Sequence, residues 1–201
     1  MKKILLVTLF LVSSICSFTQ PEVKVLTVHP MLGVNIADFT NSPHSDARLG
    51  IAAGAELGYQ LTPRFGLSVA CLYSMQGAIG KVKYRNMKFK ERIYIDYINM
   101  PIMANINVAK GFDVKFGIQP GVNINSEYEI SAVGINVGGQ LSDVGINVRP
   151  FDFSFPIGLS YEFKNAIVVD ARYNIGATKI VSGYDNRNSV FQFTLGYKIV
   201  L

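Results

Sequence analysis

The chain has 201 residues, with 18 Gly, 13 Phe, 10 Tyr and no Trp, a formal net charge of +5 and a mean hydropathy of +0.27. This composition favours one domain of turn-rich β structure over a helical bundle, and the small positive balance gives no basis for a nucleic-acid partner. Although 49% of the residues are hydrophobic, no apolar run past Phe18 reaches the roughly 20 residues that a membrane-spanning helix needs.

Met1-Lys2-Lys3 followed by the apolar run Ile4 to Ile15 reads as a secretory signal. Ser17 and Thr19 are small enough for the −3 and −1 positions, so residues 1–19 are expected to be a signal peptide cut before Gln20, and residues 20–201 one barrel domain. Cleavage after Cys16 is the alternative, and the bulky Ile15 argues against a lipid-modified Cys16. Without Lys2 and Lys3 the 19 basic residues fall to 17 against 14 acidic, a net of +3. Cys71 is then the remaining cysteine, and no internal disulfide is expected.

Strict alternation begins near Thr27. Val28, Leu32, Val34 and Ile36 share one parity up to Phe39, against Gly33, Asn35 and Ala37. A second segment, Arg48 to Leu61, sets Ile51, Leu57 and Tyr59 against Gly54, Glu56 and Gly58, and Thr62-Pro63-Arg64 turns the chain. A third begins at Phe65 and carries Leu67, Val69, Cys71, Tyr73 and Met75 on its apolar parity. The fourth runs from about Tyr94 to Val108 and the fifth from Phe112 to Asn125, joined by Ala109-Lys110-Gly111. The sixth, Phe151 to Phe163, turns at Lys164-Asn165 into the seventh, Ile167 to Gly176. In the last, Phe191, Phe193, Leu195, Tyr197, Ile199 and Leu201 alternate with Gln192, Thr194, Gly196 and Lys198.

Eight such segments, each long enough to cross a bilayer when tilted, predict an eight-stranded antiparallel up-and-down transmembrane β-barrel. The short links after the second, fourth and sixth strands would face the periplasm, and the longer ones the outside. A soluble lipocalin-like barrel would keep its apolar parity inside and clothe its outer face in Lys and Glu. Here the polar parity is mostly Gly, Ala, Ser and Asn, which suits a narrow packed lumen. Tyr59, Phe65, Phe112, Phe163 and Tyr197, near strand ends, suit interfacial girdles.

The inward parity gathers Glu56, Lys115, Asp152, Glu162, Asp170, Arg172 and Lys198, while Asp113 stands near the periplasmic end. In so narrow a bore these charges are expected to pair into a structural plug, because unpaired buried charges are costly. A gated ion path is the functional alternative. The link from Lys81 to Arg92 holds Lys81, Lys83, Arg85, Lys88, Lys90 and Arg92 against Glu91, interleaved with Tyr84, Met87 and Phe89. Such a loop is suited to contacting phosphates of lipopolysaccharide or an acidic partner, or to resting solvated among anionic headgroups. In the link from Glu127 to Pro150, Val133-Gly134-Ile135-Asn136-Val137 recurs as Val144-Gly145-Ile146-Asn147-Val148. A hairpin turning at Gly138 to Asp143 would extend the fifth and sixth strands and offer an edge for a partner strand; a loop folded on its neighbours is the plainer reading.

Catalysis is weakly signalled, and no enzyme activity, cofactor or metal is expected. His29 and His44 belong to no metal-spaced cluster. His44 and Asp46 would need a serine such as Ser182 or Ser189 to form a hydrolytic site at the rim, and nothing in the spacing requires it. Gly77-Ala78-Ile79-Gly80-Lys81 lacks the length and the hydroxyl residue of a phosphate-binding loop.

Several segments carry a family likeness: Tyr97-Ile98-Asn99-Met100-Pro101-Ile102, Gly117-Ile118-Gln119-Pro120-Gly121, Gly158-Leu159-Ser160-Tyr161-Glu162-Phe163, Val169 to Gly176, and Arg187 to Gln192. Together they resemble the PorT-like outer-membrane β-barrels, which are of OmpX and OmpA size. The resemblance implies an exported barrel of a Gram-negative envelope and, through the family's named member, an association with protein secretion. Such barrels usually end in an aromatic residue, whereas this sequence ends in Leu201, so recognition by the insertion machinery would rest on Phe191, Phe193 and Tyr197. The expected function is therefore an outer-membrane barrel with a plugged polar lumen, acting through its outer loops as a structural, binding or secretion-associated component. Its expected partners are outer-membrane lipids including lipopolysaccharide and a protein such as secretion machinery. A small channel and an adhesin-like or lipopolysaccharide-binding surface barrel are the alternatives, ahead of a rim-active barrel enzyme.

Overall fold

The computed structural model describes residues 23–42, 45–84, 87–132, 135–181 and 184–201. The alternating segments form β1 (Leu26–Phe39), β2 (Ser45–Gln60), β3 (Phe65–Tyr84), β4 (Met87–Asn99), β5 (Ile102–Ala109), β6 (Phe112–Ala132), β7 (Ile135–Gln140), β8 (Phe151–Glu162), β9 (Ile167–Gly176), β10 (Asn188–Tyr197) and β11 (Ile199–Val200). A 3-10 turn, Leu141–Val144, follows β7. The expected signal peptide with Cys16, and also His44, Arg85 and Ser182, lie outside the described residues.

Neighbouring strands pair antiparallel in the order β10-β9-β8-β6-β4-β3-β2-β1, and β1 returns to β10 through Met31↔Gly196 to Phe39↔Asn188. Since β5 continues β4 between β3 and β6, and β11 continues β10 against β1, the wall has eight positions. Closure is what a lipid environment demands: every backbone amide and carbonyl must find a partner within the protein, and an open edge cannot.

The expected fourth strand is divided, because Pro101 has no N–H to give the ladder. Its carbonyl still accepts from Ala70 N at 2.9 Å, and Met100 N reaches the Pro120 carbonyl at 2.8 Å, so the wall stays continuous across the break. The last strand starts earlier than expected, at Asn188, and is interrupted at Lys198.

Along β1, β3, β6, β8 and β10, exposed Leu32, Val34, Leu67, Val69, Phe116, Ile118, Ile157, Leu159, Phe193 and Leu195 alternate with buried Asn35, Ser68, Lys115, Gln119, Ser160, Gln192 and Thr194. The protein is thus apolar outside and polar inside, the reverse of a soluble barrel. Small inward residues make room for large ones. A Cβ at Gly158 would stand 2.7 Å from Arg172 Cβ, and one at Gly196 would fall on the His29 ring.

Two expectations about the outer links are corrected. The basic stretch is not a loop: β3 runs on to Tyr84 and pairs with β4 from Met87, so Lys81, Lys83, Lys88 and Lys90 occupy strand positions. The long link does turn back, but between Ala132 and Ile135, while Gly138 and Gly139 lie within β7. Gly138 serves close approach there, since a Cβ on it would stand 2.8 Å from the Tyr128 carbonyl oxygen. β3, β4, β6 and β7 therefore form a four-stranded sheet rising beyond the apolar band.

If Ile157 faces hydrocarbon at mid-height, Ile157→Arg should destabilise the barrel by about 2–4 kcal/mol and Leu49→Lys, at the outer margin, by about 0–1 kcal/mol. Urea titration of the protein folded into phospholipid vesicles measures both.

Candidate functional site

Three strands bring four charges together at the centre of the lumen. Glu56 on β2 accepts from Lys115 Nζ on β6 through both carboxylate oxygens, at 2.7 and 2.8 Å. Lys115 Nζ lies 3.3 Å from Asp170 Oδ2 on β9, Arg172 Nε donates to Asp170 Oδ1 at 2.7 Å, and Arg172 Nη2 closes the ring 3.7 Å from Glu56. The four are buried, with Arg172 and Asp170 almost wholly removed from the surface. Removing each ion from water costs several kcal/mol, and an alternating ring of two cations and two anions is the arrangement that offsets it. His29, directly opposite Glu56 in the β1–β2 ladder, is buried beside this tetrad.

The other inward charges stand apart from it along the barrel axis. Glu162 and Lys198 form a separate, partly exposed pair at 2.7 Å, at the end of the short turns. Asp113 accepts from Asn107 Nδ2 at 3.0 Å near the same end. Asp152 lies towards the outer end and accepts from Thr178 Oγ1 at 2.8 Å. A single continuous network is therefore not formed, because strand tilt places these residues at different heights.

Above Asp152 the mouth is apolar. Phe39, Ala78, Ile95, Tyr97, Leu141 and Ile180 form a buried cluster, with Ile146, Val148 and Val181 packed against it. Leu141 comes from the 3-10 turn and Ile180 from the β9–β10 link, and a bridge between Val148 and Val181 ties the two links together. The apolar cap was not foreseen in the sequence, although Ile95 and Tyr97 already stood there on the otherwise polar parity of their strand. His29, Asn35, Gln119 and Gln192 were likewise passed over as lumen-filling groups, since they carry no charge that a parity count would flag.

Beyond the apolar band, Arg92 pairs with Glu129 at 3.1 Å and Tyr94 donates to the same carboxylate at 2.9 Å. The Tyr94 hydrogen bond, then Arg92, holds the Glu129 carboxyl below its ordinary range; burial, then that bond, raises the Tyr94 phenol. The Arg48 guanidinium lies 4.2 Å from the centre of the Tyr94 ring. Of the residues considered for a rim hydrolase, Asp46 lies in β2, and Ser189 in β10 shares a 2.8 Å hydrogen bond with the Tyr173 hydroxyl. No cluster of three or more His, Cys, Asp or Glu suited to a metal ion occurs among the described residues.

Breaking the tetrad on one side should be worse than removing a pair. Lys115→Gln strands two carboxylates and is expected to cost about 3–5 kcal/mol, whereas Glu56→Gln with Lys115→Gln should recover much of that loss. A double-mutant cycle by urea unfolding in vesicles reads the difference.

Residues 18–182 match the outer membrane protein beta-barrel domain family. No curated protein sequence matches the chain. Among solved structures the chain is similar to Ail, the attachment invasion locus protein of Yersinia pestis, at 11% identity and a TM-score of 0.51, covering 89% of this chain and 100% of Ail. Ail in complex with the heparin analogue sucrose octasulfate matches at 11% identity and a TM-score of 0.50, with the same coverage of 89% and 100%. Neisserial surface protein A matches at 11% identity and a TM-score of 0.46, over 87% of this chain and 96% of that one. At such identities the likeness is one of fold. With the family match spanning most of a closed, lipid-facing ring of eight strands, this chain belongs to the outer membrane protein beta-barrel domain family and resides in the outer membrane of a Gram-negative bacterium.

Proposed function

We propose that this barrel is a closed membrane anchor that acts through its outer face, as a binding or secretion-associated component and neither as a pore nor as an enzyme. The observation that carries the reading is the contrast between its two ends of use. The lumen is filled by the Glu56–Lys115–Asp170–Arg172 tetrad and sealed above by Leu141 and Ile180, while four strands continue outward as a sheet. A conducting path would have to displace an apolar cap and then unpair buried ions. A projecting sheet, by contrast, gives a partner a rigid surface and two strand edges.

Within this reading residues 1–19 are a cleaved signal peptide, and the lumen charges, with Glu162–Lys198 and Asp152 at its two ends, are structural. The PorT-like segments favour a protein partner in secretion, and lipopolysaccharide surrounds the outer sheet. An adhesin-like surface binder uses the same sheet and is the second reading, favoured by the height to which β3, β4, β6 and β7 rise beyond the apolar band.

Two measurements test the proposal. The purified barrel in planar bilayers is expected to show no stepwise conductance, and steady channel openings would overturn it. From crosslinked outer membranes the tagged barrel is expected to bring down a protein in stoichiometric amount, lost when residues 81–90 are replaced by a two-residue turn. Recovery with secretion subunits supports the accessory role, and recovery with lipid alone favours the surface binder.

A further inference from the structure

Asp152 on β8 is buried, 4% exposed, and no basic side chain among the described residues pairs with it. Its Oδ1 accepts from Thr178 Oγ1 at 2.8 Å, but a hydroxyl does not neutralise a carboxylate. A carboxyl group buried in this way either keeps its proton or has a cation beside it.

The surroundings favour the cation. Between the ion tetrad and the apolar cap, the amide carbonyl oxygens of Asn35, Gln76, Asn99, Gln119, Asn174 and Asn188 are buried and accept no hydrogen bond. The amide nitrogens left over in that layer, among the described residues, are those of Gln192 and Asn188, so acceptors outnumber donors. The wall itself imposes this. Asn35 Nδ2 donates to Ser74 Oγ at 2.9 Å and to the Met75 carbonyl at 3.1 Å, and Gln119 Nε2 donates to Ser154 Oγ at 3.2 Å, which leaves both carbonyls as the free ends. A water molecule brings as many lone pairs as hydrogens, whereas a hard metal ion only takes up lone pairs.

Register brings two of these oxygens beside Asp152. Asn99 on β4, Gly121 on β6 and Asp152 are directly opposed across three neighbouring strands. A Cβ at Gly121 would fall on Asn99 Oδ1, so the missing side chain lets the Asn99 carbonyl lie over β6. Adjacent strands are about 4.8 Å apart, which puts that oxygen about one strand spacing from Asp152, the span of two metal–oxygen bonds of about 2.5 Å. Gln119 is the next inward residue below Gly121.

We propose that Asp152, Asn99 and Gln119 hold one monovalent metal cation, Na⁺ or K⁺, beneath the apolar cap. One carboxylate among neutral carbonyls balances a single positive charge, whereas a divalent ion would leave the buried site charged. The ion has a task in the fold. Thr178, which bonds Asp152, also accepts from Phe153 N at 2.9 Å, and two residues further on Ile180 is buried in the cap. Fixing the carboxylate therefore fixes the link that carries the seal. The proposal goes beyond the outward-acting reading and does not depend on which partner the outer sheet takes.

The test uses the full mature barrel folded into phosphatidylcholine vesicles and unfolded by urea in NaCl, KCl or choline chloride at equal ionic strength, so that screening is constant. The urea midpoint is expected to rise and saturate with Na⁺ or K⁺ and to stay level with choline. Asp152→Asn keeps the shape and an acceptor for Thr178 but removes the charge, and should abolish the response. Asn99→Ala should weaken the apparent ion affinity about tenfold or more, while Glu127→Gln, at the exposed rim, should retain it. Heat-sensitive gel mobility establishes that each variant is folded, and Asn99→Ala carries the test if Asp152→Asn does not fold. Hydrogen exchange of the Ile180 amide, bonded to the Asn186 carbonyl at 3.0 Å, should be slower in the stabilising salt than in choline chloride. A wild-type midpoint indifferent to the cation overturns the proposal and assigns Asp152 a bound proton. An undiminished response in Asp152→Asn or Asn99→Ala overturns it as well, placing the ion elsewhere.

Discussion

Ring closure is the constraint from which the remaining features follow. In hydrocarbon an unpaired backbone amide has no alternative partner, so β1 must find β10, and the nine paired positions from Met31↔Gly196 to Phe39↔Asn188 complete the wall. Closing with eight strands fixes a bore about as wide as the side chains that enter it. What points inward must then interdigitate, which couples wall glycines to lumen residues. Gly158 has no Cβ where Arg172 passes, and Gly196 none where the His29 ring lies. Neither the ion tetrad nor the wall could be altered independently at these points.

The two seals of the lumen differ in kind because their origins differ. At mid-height every inward position belongs to a strand whose other face meets lipid, and polar groups there must satisfy one another; an alternating ring of two acids and two bases does so with no net charge. At the mouth, links from two different strand pairs are long enough to fold inward. They supply Leu141, Ile146, Val148 and Ile180, which remove water by apolar contact with Phe39, Ile95 and Tyr97.

Parity was legible in the sequence because it needs no partner: Ile157 against Gly158, or Phe193 against Gln192, declares its side from a period of two alone. Which residues meet across the barrel was not legible, since that depends on register and tilt. Glu56 and Lys115 are 59 residues apart and share a bidentate contact, whereas Asp152, Glu162 and Asp170, on two adjacent strands, belong to three separate groups. The turn of the long link was misplaced for a related reason. Gly138-Gly139 is a strong turn signal in isolation, yet both lie within a strand, where Gly138 admits a close backbone neighbour, and the reversal falls just after Ala132.

Extending a sheet beyond the bilayer restores the problem that closure solved, for the strands beyond the ring again have edges. The two outer edges are treated differently. That of β3 carries Lys81 and Lys83, charges that discourage pairing with another chain. That of β7, Ile135–Gln140, carries no charged residue and exposes Val137. Protection of an edge asks only for a charge on the edge strand itself. Edge protection is therefore present in the sequence of β3 and absent from that of β7.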